Sequence, residues 1–411
     1  MKESHKTTRL TTKFLSSESC SKPVLSRNHK EEQQILPDNP IETVQINLEG
    51  CCYPTFVGRS LLSPILRFLL ENSGDKKILI VSDTKLSKIY GERLFSVLEG
   101  SGFEVTYFLA EAEKKNKTMD RALEIMGVLE RKNFSRDSCV IALGGGVIGD
   151  LAGFVASCWY RGMNLLHVPT TLVAMVDSSI GGKCAVNFNK TTNAIGAYHH
   201  PIANFVDLHL LDELPVREFR SGMAEIIKCA LIADVEFFWE LNCSRNKILS
   251  GDEAAIRSII LKTIQIKEKH VANDVRENDK RLLLNFGHTL GHAIEMATQG
   301  EEECLRHGEA VALGISAILA INHKYFGLSK SDVDQARAAL FNFDLPINFE
   351  SSKHGLERES LLQKCMDLVS RDKKRKGGVA RLILLRQLGS AYVHSCDDQN
   401  IIRYGFESVI C

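Results

Sequence analysis

The chain lacks any excess of charge: 51 lysines and arginines face 51 aspartates and glutamates. A balanced surface projects no long-range field, so no nucleic-acid partner is expected. Long apolar runs are also missing. No stretch approaches the roughly 18–20 residues that a membrane span needs, so no membrane association is expected. The 12 cysteines include no CxxC pair, and Cys51 and Cys52 are adjacent. With no secretory signal in view, they read as reduced thiols of a cytoplasmic enzyme, with a disulfide framework as the lesser alternative. No internal repeat is present, so a solenoid or array is not expected.

Apolar residues are scarce over residues 1–40, where Ser, Lys, Thr, Glu and Gln dominate. That composition predicts a disordered N-terminal extension. It lacks the apolar core of a secretory signal, and its glutamates disfavour an organelle-targeting peptide. The remainder is ordinary for a globular protein, with 44% hydrophobic and 25% charged residues in a chain of 411. That length predicts two domains.

From residue 41 the pattern alternates. Residues 44–48, 78–81, 103–109 and 139–143 read as strands, with helical patterns over 86–98 and 118–129. Such alternation implies a parallel α/β sheet. Beyond about 205 the pattern turns helical, over 218–232, 254–272, 282–297, 310–323 and 333–341. The expected architecture is an N-terminal Rossmann-like α/β nucleotide-binding domain over 41–205 and a C-terminal α-helical metal-binding domain over 206–411.

Two segments carry most of the chemistry. The run Val140 to Leu143 opens into Gly144, Gly145, Gly146, Val147, Ile148, Gly149 and Asp150, followed by a helix-like stretch over 151–160. A buried strand, a glycine turn and a helix start can hold a phosphate or pyrophosphate on backbone N–H groups. No acidic residue follows at the spacing of a standard dinucleotide fingerprint, and a bare glycine turn can also be purely structural. The second segment is Asn285-Phe286-Gly287-His288-Thr289-Leu290-Gly291-His292, followed by His307-Gly308-Glu309. His288 and His292 lie four apart on one helix face, and His307 follows after an interruption. Converging imidazoles read first as a zinc site, while satisfied core histidines remain the competing account.

Between these segments lie further polar groups. His167-Val168-Pro169-Thr170-Thr171 ends a strand with two hydroxyls. In Asp177-Ser178-Ser179-Ile180-Gly181-Gly182-Lys183, the lysine suits an anion such as a substrate phosphate, or is simply solvated. Glu225 and Lys228 sit at i and i+3. Such a pair is usually exposed, but Ala224, Ile226 and Ile227 around it predict at least partial burial.

The ordered set GGGVIGD, VPTT, DSSIGGK, GMAEIIK, NFGHTLGH and HGEAV resembles 3-dehydroquinate synthase of the sugar phosphate cyclase superfamily, over roughly residues 42–395. The resemblance implies an NAD-dependent, zinc-dependent carbon–oxygen lyase, with cobalt as an alternative metal, usually a homodimer. Its reaction converts the sugar acid phosphate DAHP to 3-dehydroquinate and phosphate, the second step of the shikimate route to aromatic amino acids. It combines oxidation by NAD, phosphate elimination, re-reduction, ring opening and intramolecular aldol closure.

Position by position, the resemblance places the metal ligands at Glu225, His288 and His307, and gives His292 another task. Cofactor contacts fall on Asp83, Glu113, Lys117, Gly144, Gly145, Gly146, Asp150, Thr170 and Thr171. Glu113 precedes Lys117 by four residues, one more than the family spacing. Catalytic groups fall on Asp177, Lys183, Lys228, Lys267, Arg281, Asn285 and His292, and further substrate contacts on Arg161, Asn193, Lys373 and Lys374. A substrate carrying a carboxylate and a phosphate calls for several converging cations.

Some positions depart from the family. Thr192-Asn193 replaces a Lys-Asn pair, with Lys190 two residues earlier. Tyr198-His199-His200-Pro201 and Asp83-Thr84-Lys85 are also unusual. Threonine cannot reproduce a lysine's charge. The alternatives are therefore an aminodehydroquinate, 2-deoxy-scyllo-inosose or 2-epi-5-epi-valiolone synthase of secondary metabolism. Arg281 and Asn285 favour a substrate with a carboxylate, as does His292, where the valiolone-type enzymes differ. An iron- or zinc-dependent alcohol dehydrogenase shares the glycine turn but needs no cationic shell. A non-catalytic homologue has no need of two imidazoles and a carboxylate at this spacing.

Overall fold

Continuous apolar runs become the central strands of a seven-stranded sheet. The strands are β1 (Glu42–Leu48), β2 (Cys51–Gly58), β3 (Lys77–Ser82), β4 (Glu104–Leu109), β5 (Cys139–Gly144) and β6 (Asn164–Pro169). A hairpin of β7 (Lys183–Phe188) and β8 (Thr191–Tyr198) intervenes before β9 (Ala203–Asp207). The sheet order is β1-β2-β9-β6-β5-β3-β4, parallel except for the antiparallel edge pair β1–β2. The computed structural model describes residues 41–411 except 190, 273, 278, 300–304 and 376–378 and the side chains of 372–375. The extension expected over 1–40 therefore lies outside the described residues, as does Lys190.

Side-chain alternation divides the core between the sheet's two faces. Ile78, Ile80, Ile141, Leu143 and Leu166 belong to one cluster, and Leu79, Val81, Val140, Ala142 and Leu165 to the other. After β3 the chain runs outward to β4, then crosses back to β5 on the other side of β3. Carboxyl ends of strands flanking such a reversal form the crevice where open α/β sheets take ligands. Here β3 delivers Asp83 to that crevice and β5 delivers the glycine turn.

The second half is built from helices Val216–Ala233, Val235–Leu249, Glu253–Val271, His288–Ala297, His307–Phe326, Lys330–Asn342, Arg358–Arg375 and Gln399–Glu407. A hairpin of β10 (Ala380–Gln387) and β11 (Ser390–Cys396) joins them. Two departures from the sequence pattern matter for the site. The helix expected over 282–297 is broken: a 3-10 turn, Lys280–Asn285, ends at Phe286, and Gly287 at φ +78° restarts the chain at His288. The glycine-rich stretch after Asp177 leads, from Lys183 on, into the hairpin β7–β8, which the sequence pattern did not show. Cys184 and Val186 are its anchors, packing into the same cluster as Ala152 and Val155 of helix Gly146–Cys158.

Close helix packing rests on glycines, Gly287 and Gly308 among them. A Cβ on Gly287 would lie 2.6 Å from Ile315 Cγ1 and 2.8 Å from the Ile315 nitrogen. A Cβ on Gly308 would overlap the backbone carbonyl of Ser221. These contacts let helix His307–Phe326 approach both its neighbours, so that Glu225, His288 and His307 meet. Among the described residues, no helix is long and apolar enough to cross a membrane.

Candidate active site

Glu225 lies in the middle of helix Val216–Ala233 and is 1% exposed. Its Oε1 is 3.1 Å from His307 Nε2 and 3.5 Å from His288 Nε2. Zinc ligands at about 2.0–2.2 Å in tetrahedral array stand about 3.3–3.6 Å apart, so these separations fit one shared ion. His288 Nδ1 lies 3.2 Å from the Phe286 carbonyl, which orients Nε2 toward Glu225. His292 also joins, since nitrogens of His288, His292 and His307 all lie within 4.8 Å of one another. Two overlapping triads thus share His288 and His307. The buried anion makes the Glu225 set the better home for a dication, while His292 is exposed at the rim.

Charge around this centre is tightly arranged. Lys228 Nζ stands 2.5 Å from Glu225 Oε2, with both side chains at most 2% exposed. Burial alone would raise the Glu225 carboxyl, but Lys228 and the two histidines outweigh it and hold it well below the usual range. The Lys228 ammonium would lose its proton more readily on burial, yet Glu225 and Asp177 raise it. Burial and Lys228 push His288 down to about 3, so it is a neutral imidazole at physiological pH. His307 is the opposite case. Burial opposes its charge, but hydrogen bonds to Glu225 and Glu295 raise it to about 10.

Two further groups extend the cluster. Lys267 donates to the Asp177 carboxylate and to its backbone carbonyl. Burial opposes the Asp177 charge, and Lys267 and Lys228 reverse that effect to hold its carboxyl low. Arg281 is 3% exposed, and its Nη1 donates to the carbonyls of Gly181 at 3.1 Å and Val275 at 2.6 Å. The guanidinium also lies 5.8 Å from the Tyr198 ring centre. Among the described residues, no carboxylate forms an ion pair with it. Glu277, four residues earlier, instead engages Lys183 at 2.7 Å and Asn285 Nδ2 at 2.6 Å. Glu277 sits at φ +61°, and the alternative in which it simply pairs with Arg281 from four residues earlier on one helix face is not what the fold gives. Lys183 is thus paired, not simply solvated.

The glycine turn has the form of a phosphate cradle. Gly145 caps helix Gly146–Cys158 with no side-chain cap, leaving the first N–H groups for an anion. A Cβ on Gly145 would come 3.0 Å from Thr171 Cγ2, and one on Gly146 would come 3.2 Å from Ser178 Oγ. Thr170 donates its N–H to the Gly144 carbonyl at 3.1 Å, and Thr171 Oγ1 accepts from the Ala174 N–H. Lys117, 7% exposed, pairs with Asp150 at 2.7 Å and donates to Asn193 at 2.5 Å. Asp83 caps the next helical turn through the N–H groups of Lys85 and Leu86. Glu113 is exposed and paired with Lys115 at 2.6 Å, so Lys117 rather than Glu113 faces the crevice.

One expected substrate contact stands apart, and two others lie outside the described side chains. Arg161 is exposed past the far end of the 13-residue helix Gly146–Cys158, about 20 Å from the glycine turn at 1.5 Å per residue. The chain's own fold does not bring it to the cluster. Lys373 and Lys374 fall in the last turn of helix Arg358–Arg375, with side chains outside the described residues. The residues His199 and His200 lie beside the site: Nε2 of His199 meets the Met163 carbonyl at 2.8 Å, and His200 stacks on Tyr53.

A parallel sheet with a phosphate-type turn at its switch point, joined to helices holding a histidine–carboxylate centre, defines a class of two-part enzymes that use a nucleotide and a metal. A solved 2-epi-5-epi-valiolone synthase from Streptomyces hygroscopicus subsp. jinggangensis, with NAD+ and Zn2+ bound, is similar with a TM-score of 0.78 at 26% identity, covering 87% of this chain and 96% of that one. A solved 2-deoxy-scyllo-inosose synthase with carbaglucose-6-phosphate, NAD+ and Co2+ gives 0.75 at 25%, covering 89% and 99%. The 3-dehydroquinate synthase of Thermodesulfovibrio yellowstonii is 38% identical over 354 residues, 86% of this chain and 96% of that protein. Family models described as 3-dehydroquinate synthase N-terminal and C-terminal match residues 107–221 and 222–375. The chain belongs to the 3-dehydroquinate synthase family.

Proposed function

We propose that the chain is a 3-dehydroquinate synthase, converting DAHP to 3-dehydroquinate and phosphate, with the lyase chemistry, homodimeric assembly, cytoplasmic location and shikimate-pathway role that the family implies. The observation that carries this reading is Arg281: a buried guanidinium with no carboxylate partner among the described residues, beside Lys183 and Asn285. A buried cation whose described hydrogen bonds run to neutral carbonyls calls for an anion from outside, and a carboxylate suits its planar fork.

Glu225, His288 and His307 are assigned to hold zinc or cobalt, and Gly144, Gly145, Gly146, Asp150, Lys117, Thr170 and Thr171 to hold NAD. The two solved relatives named above carry NAD+ with Zn2+ or Co2+. When bound, the metal polarises substrate hydroxyls and the nicotinamide takes and returns a hydride. The chain's residues supply the remainder. Lys228 keeps Glu225 anionic, and Lys267 fixes Asp177 as an anion beside it. Arg281 grips the carboxylate, while Lys183, Asn193 and Asn285 orient the hydroxyls and phosphate. His292, exposed at the rim, can hand a proton to or from a substrate hydroxyl. The departing phosphate can take its own proton, so orientation of one trapped molecule is the main task.

The competing reading, a cyclase acting on a sugar phosphate without a carboxylate, draws on Thr192 and on the fold match to such enzymes. Arg281 opposes it. The test is a substrate panel: purified protein with NAD and zinc is given DAHP, sedoheptulose 7-phosphate or glucose 6-phosphate, and phosphate release is followed. Release from DAHP alone supports the proposal, and faster release from sedoheptulose 7-phosphate overturns it.

A further inference from the structure

One polar chain joins the two halves of the site, and its central residues have no role in the account above. Lys114 lies in the turn after β4, and its Nζ stands 2.6 Å from Oε1 of Glu295 on helix His288–Ala297. The other carboxylate oxygen, Oε2, lies 3.4 Å from His307 Nδ1, while His307 Nε2 faces Glu225. Glu295 follows His288 by two helical turns, on the same face, and its side chain is 12% exposed. In the other direction, the Lys114 carbonyl accepts from Asn187 Nδ2 at 2.9 Å, and the Asn187 N–H donates to the Lys117 carbonyl at 2.7 Å. Lys117 in turn contacts Asp150 on the glycine-turn helix.

We propose that Glu295 is a positioning residue for His307, and that the Lys114–Glu295 bridge couples dinucleotide binding at the glycine turn to metal binding at Glu225, His288 and His307. The inference rests on the metal and cofactor sites assigned under the proposed function. An imidazole ligand presents one nitrogen to the ion and donates the other N–H outward, and the acceptor fixes ring orientation and raises ligand basicity. Glu295 is that acceptor for Nδ1 of His307. Lys114 holds the second oxygen of Glu295 and rides on the same turn as Lys117. A dinucleotide that restrains Lys117 therefore restrains Lys114, and with it the orientation of His307. Such coupling is reciprocal: zinc must tighten the dinucleotide by the same factor as the dinucleotide tightens zinc.

The test reads binding, not turnover. Zinc affinity is measured on metal-stripped protein by competition with a chromophoric chelator, with and without saturating NAD, and NAD affinity by calorimetry with and without zinc. Glu295→Gln, nearly isosteric, should weaken zinc by about 10–100-fold. The parent should show a mutual NAD–zinc enhancement of about fivefold or more, and Lys114→Met should abolish most of it. Unchanged zinc affinity in Glu295→Gln, no enhancement in the parent, or full enhancement in Lys114→Met each overturns the inference. His288→Ala separates this from failure of the metal assignment: if that variant binds zinc like the parent, the ligand set itself is wrong. If His288→Ala loses zinc while Glu295→Gln does not, only the positioning role falls.

Discussion

Replacing Arg281 by alanine isolates the substrate-recognition claim. The guanidinium is buried, and its described hydrogen bonds run to the neutral carbonyls of Gly181 and Val275. Glu277 is committed to Lys183 and Asn285, so among the described residues the variant breaks no ion pair. What it removes is the charge-assisted grip on the substrate carboxylate. Hydrogen bonds to charged groups contribute roughly 1.5–3 kcal/mol, so kcat/KM for DAHP should fall between roughly tenfold and 150-fold. Lysine should rescue only part of this, because an ammonium cannot present the planar fork. Loss of two bonds to carbonyls, offset by removal of a buried charge, should change stability by no more than about 1–2 kcal/mol. Gly181→Ala should mimic the defect, since a Cβ there would lie 2.7 Å from Arg281 Nη2 at a backbone φ of +95°. The assay is phosphate release from DAHP, with thermal unfolding as the folding control. Near-parental turnover by Arg281→Ala would refute the reasoning.

Two other outcomes follow from the metal centre. His288→Ala or His307→Ala should lose bound zinc, measured by elemental analysis, and lose turnover, while circular dichroism shows the helices intact because their packing faces lie elsewhere. Full metal content in either variant would show the ligands misassigned. In the metal-free protein, His307 is held to about 10 and His288 to about 3, so only His307 carries a proton at neutral pH. Zinc uptake between pH 7 and 9 should therefore release about one proton, read by an indicator dye, and apparent affinity should rise about tenfold per pH unit. Because the folded value lies above that of an unfolded histidine, this group's stabilisation of the metal-free fold is complete below about 6.5. It is lost as pH rises through about 10. Zinc uptake without proton release contradicts this assignment.

The sheet was readable because parallel strands are buried on both faces, so β3 and β5 appear as unbroken apolar runs. The Glu225–Lys228 pair was readable from its apolar neighbours, and it is buried as expected. Other features depend on distant contacts. The β7–β8 hairpin hides behind its polar positions, and Cys184, Val186, Ile195 and Ala197 give it a core face through their packing in the cluster that includes helix Gly146–Cys158. The β10–β11 hairpin had a local signal, the apolar run ending in Leu385 before Gly389 at φ +80°. Glu277 carries no motif, because its partners Lys183 and Asn285 meet only through the fold. Glu295 lies two turns beyond His288 in the same helix, but its relation to His307 depends on how that helix packs. Arg161 shows the converse: a motif match that the chain's own fold leaves far from the glycine turn.

The central claim is that one molecule is oxidised, loses phosphate and is reduced again within a single site, so the nicotinamide cofactor ends each cycle as it began. The direct measurement follows phosphate release and absorbance at the NADH band together, in one reaction of purified protein, zinc, DAHP and about one NAD per chain. The account predicts many phosphates per NAD, strict dependence on added NAD after the protein is stripped, and no net rise in NADH. NADH accumulating in step with substrate consumption would contradict it and mark the chain as a dehydrogenase.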